Sequence, residues 1–173
     1  MNVYFEYKRQ QTLAMENALK RYLEIGKELS KITGRKYEFF ESYKLKDAKY
    51  VIVCMNATAG SVKNVVDRMR AKGKKVGLMK IKLYRPFAYD AVAKALVDAK
   101  AVAVLDRTGS YGSLPPLAMD IQNALFHSKK RPVVQSYVYG LGGRYILEND
   151  LEEVYKELIS GKLDSKVRFI GVK

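Results

Sequence analysis

The sequence predicts an α/β domain built on a mostly parallel β-sheet that is covered by helices on both faces. Three features predict it: short Val-rich runs without polar alternation, helix-like segments between them, and glycines or prolines at the joints. The runs Tyr50–Met55, Lys75–Lys80 and Ala101–Leu105 read as strands buried on both sides, because a strand with one wet face would alternate. Pro132–Tyr139 is a fourth strand, since proline is tolerated at a strand's first residue, and Val167–Ile170 is a candidate fifth at an edge.

The helices have legible ends. From Gln10 to Thr33, Met15, Ala18, Tyr22, Ile25, Leu29 and Ile32 recur at spacings of three and four, the stripe of an amphipathic helix stopped by Gly34. A tyrosine-rich connection, Arg35 to Ala48, follows. Ser61–Lys72 ends at Gly73, and Ala88–Ala99 gathers Val92, Ala95, Leu96 and Ala99 on one face. Pro115-Pro116 opens a helix running through Met119, Ile121, Leu125 and Phe126. Asn149, three residues before Glu152, resembles a capping box for a helix over Asp150–Ile159, packing through Leu151, Val154, Tyr155 and Leu158. The expected organisation is an N-terminal helix and connection over 1–48 and an α/β domain over 49–173.

Composition narrows the function. The 173 residues are 48% apolar and 29% charged, an ordinary globular balance, and no run approaches the roughly 18 apolar residues of a membrane helix. The N-terminal residues lack the pattern of a signal peptide, so a cytoplasmic location is expected and no membrane partner is. Cys54, the one cysteine, lies in an apolar run and reads as a buried structural thiol; with the single His127 it offers no metal-ligand cluster. The net charge is +14, and residues 60–100 hold eleven basic against three acidic side chains, a regional field that prefers an acidic partner, with a solvated Lys-rich surface as the plainer alternative. Nucleic acid is disfavoured as that partner, because no helix-turn-helix, zinc-finger or RNA-recognition motif accompanies the charge.

In open parallel sheets, ligands gather beyond the carboxyl ends of the strands. Four loops occupy that position: Asn56 to Ser61, Ile81 to Phe87, Asp106 to Pro116, and Gly140 to Arg144. In the first, backbone N–H groups with the hydroxyls of Thr58 or Ser61, beside Gly60, suit an anion or a partner's carboxylate; the plainer reading is a helix cap by Thr58 or Ser61. In the last, Gly140, Gly142 and Gly143 allow unusual backbone angles or close approach of another chain, with Arg144 able to meet a phosphate or carboxylate; an ordinary glycine turn is the alternative. Arg85 is a further candidate contact. Asp106-Arg107 reads as a local salt bridge, and no Ser-His-Asp order, HExxH or iron–sulfur cysteine series is present, so no catalytic residue is assigned.

The segments Lys8-Arg9-Gln10-Gln11, Gly34-Arg35-Lys36-Tyr37, Ala57-Thr58-Ala59-Gly60, Lys74–Phe87 (KKVGLMKIKLYRPF), Ala101–Arg107 (AVAVLDR) and Tyr139–Arg144 (YGLGGR), taken in that order, resemble the C-terminal part of the α chain of pyruvate:ferredoxin and related 2-oxoacid:ferredoxin oxidoreductases. The loop Thr108–Leu117 departs from the family, carrying Leu114-Pro115 where a glycine-rich stretch precedes Pro-Leu. The resemblance implies a transketolase C-terminal-like domain, a three-layer α/β/α fold with a mostly parallel five-stranded sheet. It also implies an assembly that uses thiamine diphosphate, magnesium, iron–sulfur clusters and coenzyme A to convert a 2-oxoacid to acyl-CoA, carbon dioxide and reduced ferredoxin. None of these cofactors is expected on this chain. Its implied partners are the other domains or subunits of the oxidoreductase, with ferredoxin as the acceptor of the complex, and its implied role is assembly. The competing expectations are a free-standing basic module for an acidic protein or nucleic acid, and an independent nucleotide-binding enzyme.

Overall fold

A computed structural model describes residues 3–172 of the chain, which divide into two compact units. The smaller unit takes in the N-terminal residues through Phe39 together with Lys82–Ala88. It is dominated by α1 (Tyr4–Thr33), whose carboxyl end is closed by Gly34 at φ 69°, as the sequence predicts. The returning chain packs where α1 has no side chain: a Cβ on Gly26 would lie 2.6 Å from the Tyr37 carbonyl oxygen. Tyr22 stacks on Phe39 with ring centres 5.8 Å apart. The face engaged within the unit is thus centred on Tyr22 and Gly26, and four members of the predicted stripe, Met15, Ile25, Leu29 and Ile32, are exposed.

The larger unit is the α/β domain. Its elements are β1 (Phe40–Tyr43), β2 (Tyr50–Met55), α2 (Thr58–Ala71), β3 (Val76–Ile81), α3 (Tyr89–Leu96), β4 (Ala101–Asp106), α4 (Pro116–Phe126), β5 (Val133–Val138), α5 (Glu148–Ser160) and β6 (Arg168–Phe169). The strands form one sheet in the order β1-β3-β2-β4-β5-β6. It has six strands rather than the five expected. The addition is β1, which lies in the Tyr-rich connection and pairs antiparallel with β3, while every other pairing is parallel. Its four residues, Phe-Glu-Ser-Tyr, are too few for alternation to distinguish them from a loop. The candidate edge strand at Val167–Ile170 is present as the two-residue β6.

Alternation along the strands sorts the core into two layers. Ile52 and Cys54 of β2, Ala101, Ala103 and Leu105 of β4, and Tyr137 of β5 pack with α2 and α5. The intervening Val51, Val53, Val102 and Val104 are equally buried toward the opposite face, where α4 packs on β4 and β5 and α3 packs on α4. This is the three-layer α/β/α architecture. Tyr155 of α5 reaches across the first layer and donates to the Gly77 carbonyl oxygen of β3 at 2.8 Å. Gly77 must be glycine for another reason: a Cβ there would sit 2.7 Å from the Lys44 carbonyl oxygen and 2.8 Å from the Ala48 methyl.

Helix boundaries shift modestly from the sequence reading. The predicted capping box is not the one used at α5; the Asp150 carboxylate accepts the Leu147 N–H at 2.9 Å, so the helix starts at Glu148. α2 begins at Thr58, three residues before the expected Ser61, and α3 is the shorter Tyr89–Leu96.

Candidate functional site

The chain leaves β2 through α2 toward β3 on one side, and leaves β4 through α4 toward β5 on the other. Adjacent β2 and β4 therefore define the topological switch point, where an open α/β sheet usually offers a crevice to a ligand. Here the chain's own side chain spans that crevice. Tyr139, the residue after β5, is buried, and its N–H donates to the Asp106 carbonyl oxygen at the end of β4. Its hydroxyl reaches past β4 to the Thr58 hydroxyl at the start of α2, with the oxygens 2.7 Å apart. Burial holds the Tyr139 phenol above its ordinary pKa, so the link is between neutral hydroxyls.

The other polar groups at this edge are engaged internally as well. Asp106 is buried, and its carboxylate accepts the Leu117 N–H in the first turn of α4 at 2.9 Å. Desolvation raises its pKa, opposed by the backbone N–H groups of Leu117 and Arg107. Arg107 turns away and donates to the Gly140 carbonyl oxygen at 3.2 Å. The expected Asp106–Arg107 salt bridge is not found among the described residues: the strand's period of two sends neighbouring side chains to opposite faces. Thr58 does not cap its helix either, because its hydroxyl is taken by Tyr139. Sequence reasoning missed Tyr139 as a structural hub; Thr58 lies 81 positions away, and no local pattern connects them.

The remaining predicted site residues divide by location. Gly60 and Ser61 lie in the first turn of α2, and a Cβ on Gly60 would meet nothing within 4 Å. Gly140, Gly142 and Gly143 all have positive φ, forming a tight turn at Leu141–Gly143; Arg144 leaves it and donates to the Gly171 carbonyl oxygen. Gly142 and Gly143 also have open space where a Cβ would be. Arg85 belongs to the smaller unit, where its guanidinium lies 4.0 Å from the ring centre of Tyr84.

Two adjoining grooves open at this edge, of about 920 and 600 Å³, sharing Val138, Leu141 and Phe169. Among the residues lining them, the apolar Tyr111, Leu141, Tyr145, Phe169 and Val172 are exposed, Tyr111 completely. Among the described residues no three His, Cys, Asp or Glu side chains gather to hold a metal. Cys54 is buried near the carboxyl end of β2, and burial pushes its thiol up to about 12, away from the thiolate that iron or a nucleophilic role requires. A single buried, neutral thiol does not fit an iron–sulfur cluster. No helix among the described residues is long and apolar enough to cross a membrane.

The family model for the pyruvate:ferredoxin oxidoreductase core domain II matches residues 48–151, more than half of the sequence. The chain belongs to this family. As a core domain II protein it is 42% identical over 171 residues to pyruvate synthase subunit PorA of Thermotoga maritima, covering 98% of this chain and 44% of that protein. It is 34% identical over 175 residues to ketoisovalerate oxidoreductase subunit VorA of Pyrococcus abyssi, again covering 98% of this chain and 44% of that protein. The chain thus spans less than half the length of these curated relatives. A solved 2-oxoglutarate:ferredoxin oxidoreductase from Magnetococcus marinus superimposes with a TM-score of 0.53 at 20% identity over 75% of this chain and 21% of that one. A split-gene transketolase superimposes with a TM-score of 0.52 at 13% identity, over 69% of this chain and 41% of that one. Both establish the shared fold, including the transketolase-like character expected from the sequence.

Proposed function

We propose that this core domain II is a non-catalytic component of the α chain of a 2-oxoacid:ferredoxin oxidoreductase, and that its role is to assemble domains or subunits around an active site built elsewhere. One observation carries the reading. At the sheet edge where a ligand would bind, Tyr139 and Thr58 close the switch-point crevice, while apolar side chains around it stand exposed. Such an edge is built to meet protein. The names of the relatives, a pyruvate synthase subunit and a ketoisovalerate oxidoreductase subunit, support a 2-oxoacid as the substrate of the whole enzyme.

In this reading Gly60, Ser61, Gly140, Gly142, Gly143 and Arg144 lie on the interface, and Thr58 supports it from beneath through Tyr139. Glycines without a Cβ neighbour let a partner's backbone approach, and Arg144 presents its charge beside them. Arg85 supplies a further contact from the smaller unit. Thiamine diphosphate, magnesium, iron–sulfur clusters and coenzyme A are carried by the partners, which oxidatively decarboxylate the 2-oxoacid to acyl-CoA and carbon dioxide and pass electrons to ferredoxin. The location is cytoplasmic.

The test is affinity capture of the chain from an anaerobic lysate of its source, followed by mass spectrometry and a viologen-reduction assay dependent on pyruvate and coenzyme A. Recovery with thiamine-binding and iron–sulfur subunits and with activity is expected. Activity from the purified chain alone would refute a non-catalytic role.

A further inference from the structure

The amino edge of the sheet, opposite the glycine loops, carries an arrangement that the proposed assembly role does not use. In the parallel part of the sheet, the first residues of four strands stand in one register: Val76 beside Tyr50, Tyr50 beside Ala101, and Ala101 beside Val133. The residues immediately before the first three are Lys75, Lys49 and Lys100. They are direct backbone neighbours across the sheet: the Lys49 N–H donates to the Lys75 carbonyl oxygen at 2.8 Å, and the Lys100 N–H to the Lys49 carbonyl oxygen at 2.7 Å. The row continues to the fourth strand, where the Val133 N–H donates to the Lys100 carbonyl oxygen at 3.1 Å and Lys129, Lys130 and Arg131 lead in.

The three lysines stand immediately before β3, β2 and β4, and the backbone contacts between them, in strands about 4.8 Å apart, gather their positive charge into one row along the edge. Like charges gathered along one edge repel unless something offsets them. The chain offers little. No ion pair joins Lys49, Lys75, Lys100, Lys129, Lys130 or Arg131 to a carboxylate among the described residues. Lys49 reaches only the Asp98 carbonyl oxygen at 3.3 Å, and Arg131 only that of Phe126 at 3.4 Å. Of the acids at this edge, Asp47 lies near enough to Lys75 for its pKa to feel the charge, but both its oxygens are held by Arg70, at 2.9 and 2.8 Å. Helix carboxyl ends favour nearby cations and account for single lysines at this edge, but one charge per helix end does not require three in register.

We infer that this cationic edge is a docking surface for an acidic protein, one presenting a short row of carboxylates such as an acidic helix or loop. Three features select protein over nucleic acid. Four strands span only about 14 Å, the reach of one helix face, where carboxylates three or four residues apart lie about 5–6 Å from one another and match the lysine spacing. The row itself is lysine, a hydrated point charge suited to steering and rapid exchange, whereas bidentate phosphate recognition favours arginine. Among the described residues, stacking at this edge is also limited. Phe126, the exposed ring of this edge, is already met by His127 and Arg131.

The experiment compares the full chain with two triple variants of equal net charge, Lys49→Gln/Lys75→Gln/Lys100→Gln in the row and Lys20→Gln/Lys27→Gln/Lys31→Gln on α1. Binding of a fluorescent Glu-rich helical peptide is followed by anisotropy across a salt series. A single-stranded oligonucleotide of the same charge and phosphatidylserine vesicles are measured alongside. The row variant is expected to bind the peptide about tenfold more weakly, with a flatter salt dependence, and the α1 variant less than twofold more weakly. Equal weakening in both variants would reduce the effect to net charge and overturn the inference. Tighter binding of the oligonucleotide or the vesicles than of the peptide would overturn it too, by assigning the row to another class of partner. The row variant is expected to melt no lower than the parent, since it relieves repulsion. Should it melt lower, the single changes Lys75→Gln and Lys100→Gln, both at exposed positions, carry the same comparison.

Discussion

At the scale of single residues, burial sets the chemistry. Cys54 is fully enclosed between the sheet and α2, and desolvation of its charged form pushes the thiol up to about 12 from an ordinary value of 9.0. A raised folded-state pKa means that the contribution to stability is whole below pH 9 and is lost as pH rises toward 12. Cys54→Ala should therefore flatten part of the alkaline decline in stability, measured by urea unfolding between pH 8 and pH 11, with the buried tyrosines Tyr137, Tyr139 and Tyr155 contributing to what remains. An unchanged slope would mean that the thiol is not desolvated as described. Gly77 gives a sharper case. A methyl group there would collide with backbone and side-chain atoms of the Lys44–Ala48 loop, so Gly77→Ala should cost roughly 1–3 kcal/mol by overpacking, read as a lower denaturation midpoint.

At the scale of elements, short pieces depend on specific ties. β6 is two residues long and cannot hold its place by ladder bonds alone. Arg168 anchors it to α5: the guanidinium donates to Glu157 at 2.6 Å, to the Lys162 carbonyl oxygen at 2.8 Å and to Asp164 at 3.1 Å. The Tyr137 hydroxyl donates to the same Glu157 carboxylate at 2.7 Å. Arg168→Ala should detach this edge at a global cost of only about 1 kcal/mol, because the pairs are partly solvated. Hydrogen exchange at Ile170, whose N–H donates to Val138, is the readout, and it should accelerate well before core amides do. The turn at Ser110–Ser113 shows the opposite economy. Tyr111 at φ 34° and Gly112 at φ 94° close a two-residue bridge, a geometry that favours Asn-Gly. An exposed tyrosine held at positive φ is strained, so Tyr111→Asn should raise stability by roughly 0.5–1 kcal/mol. If Tyr111 anchors the proposed interface, the same change should weaken assembly, which pull-down against partner subunits would detect.

At the scale of the whole α/β domain, the two edges of the sheet differ in kind: glycine turns and uncovered apolar side chains at the carboxyl edge, lysines at the amino edge. Arg144→Ala tests the first. Its one described side-chain hydrogen bond goes to the Gly171 carbonyl oxygen near the carboxyl terminus, so stability should change by under about 1 kcal/mol while assembly with the partner subunits falls measurably. A fully assembled, fully active complex would remove Arg144 from the interface.

Much of this was legible in the sequence because it is local. The Val-rich runs β2, β3 and β4, the left-handed stops at Gly34 and Gly73, and the core face of α5 through Leu151, Val154, Tyr155 and Leu158 are each written in neighbouring residues, where period and backbone preference suffice. The ordered resemblance was legible for the same reason, as a succession of short motifs. What the tertiary structure alone decided joins distant residues. Tyr139 closing on Thr58, Asp106 holding the first turn of α4, β1 taking the edge beside β3, and Lys75, Lys49 and Lys100 standing in one row all depend on strand order and register. Strand order is set by which faces bury together across the whole domain, and no window of adjacent residues contains that information.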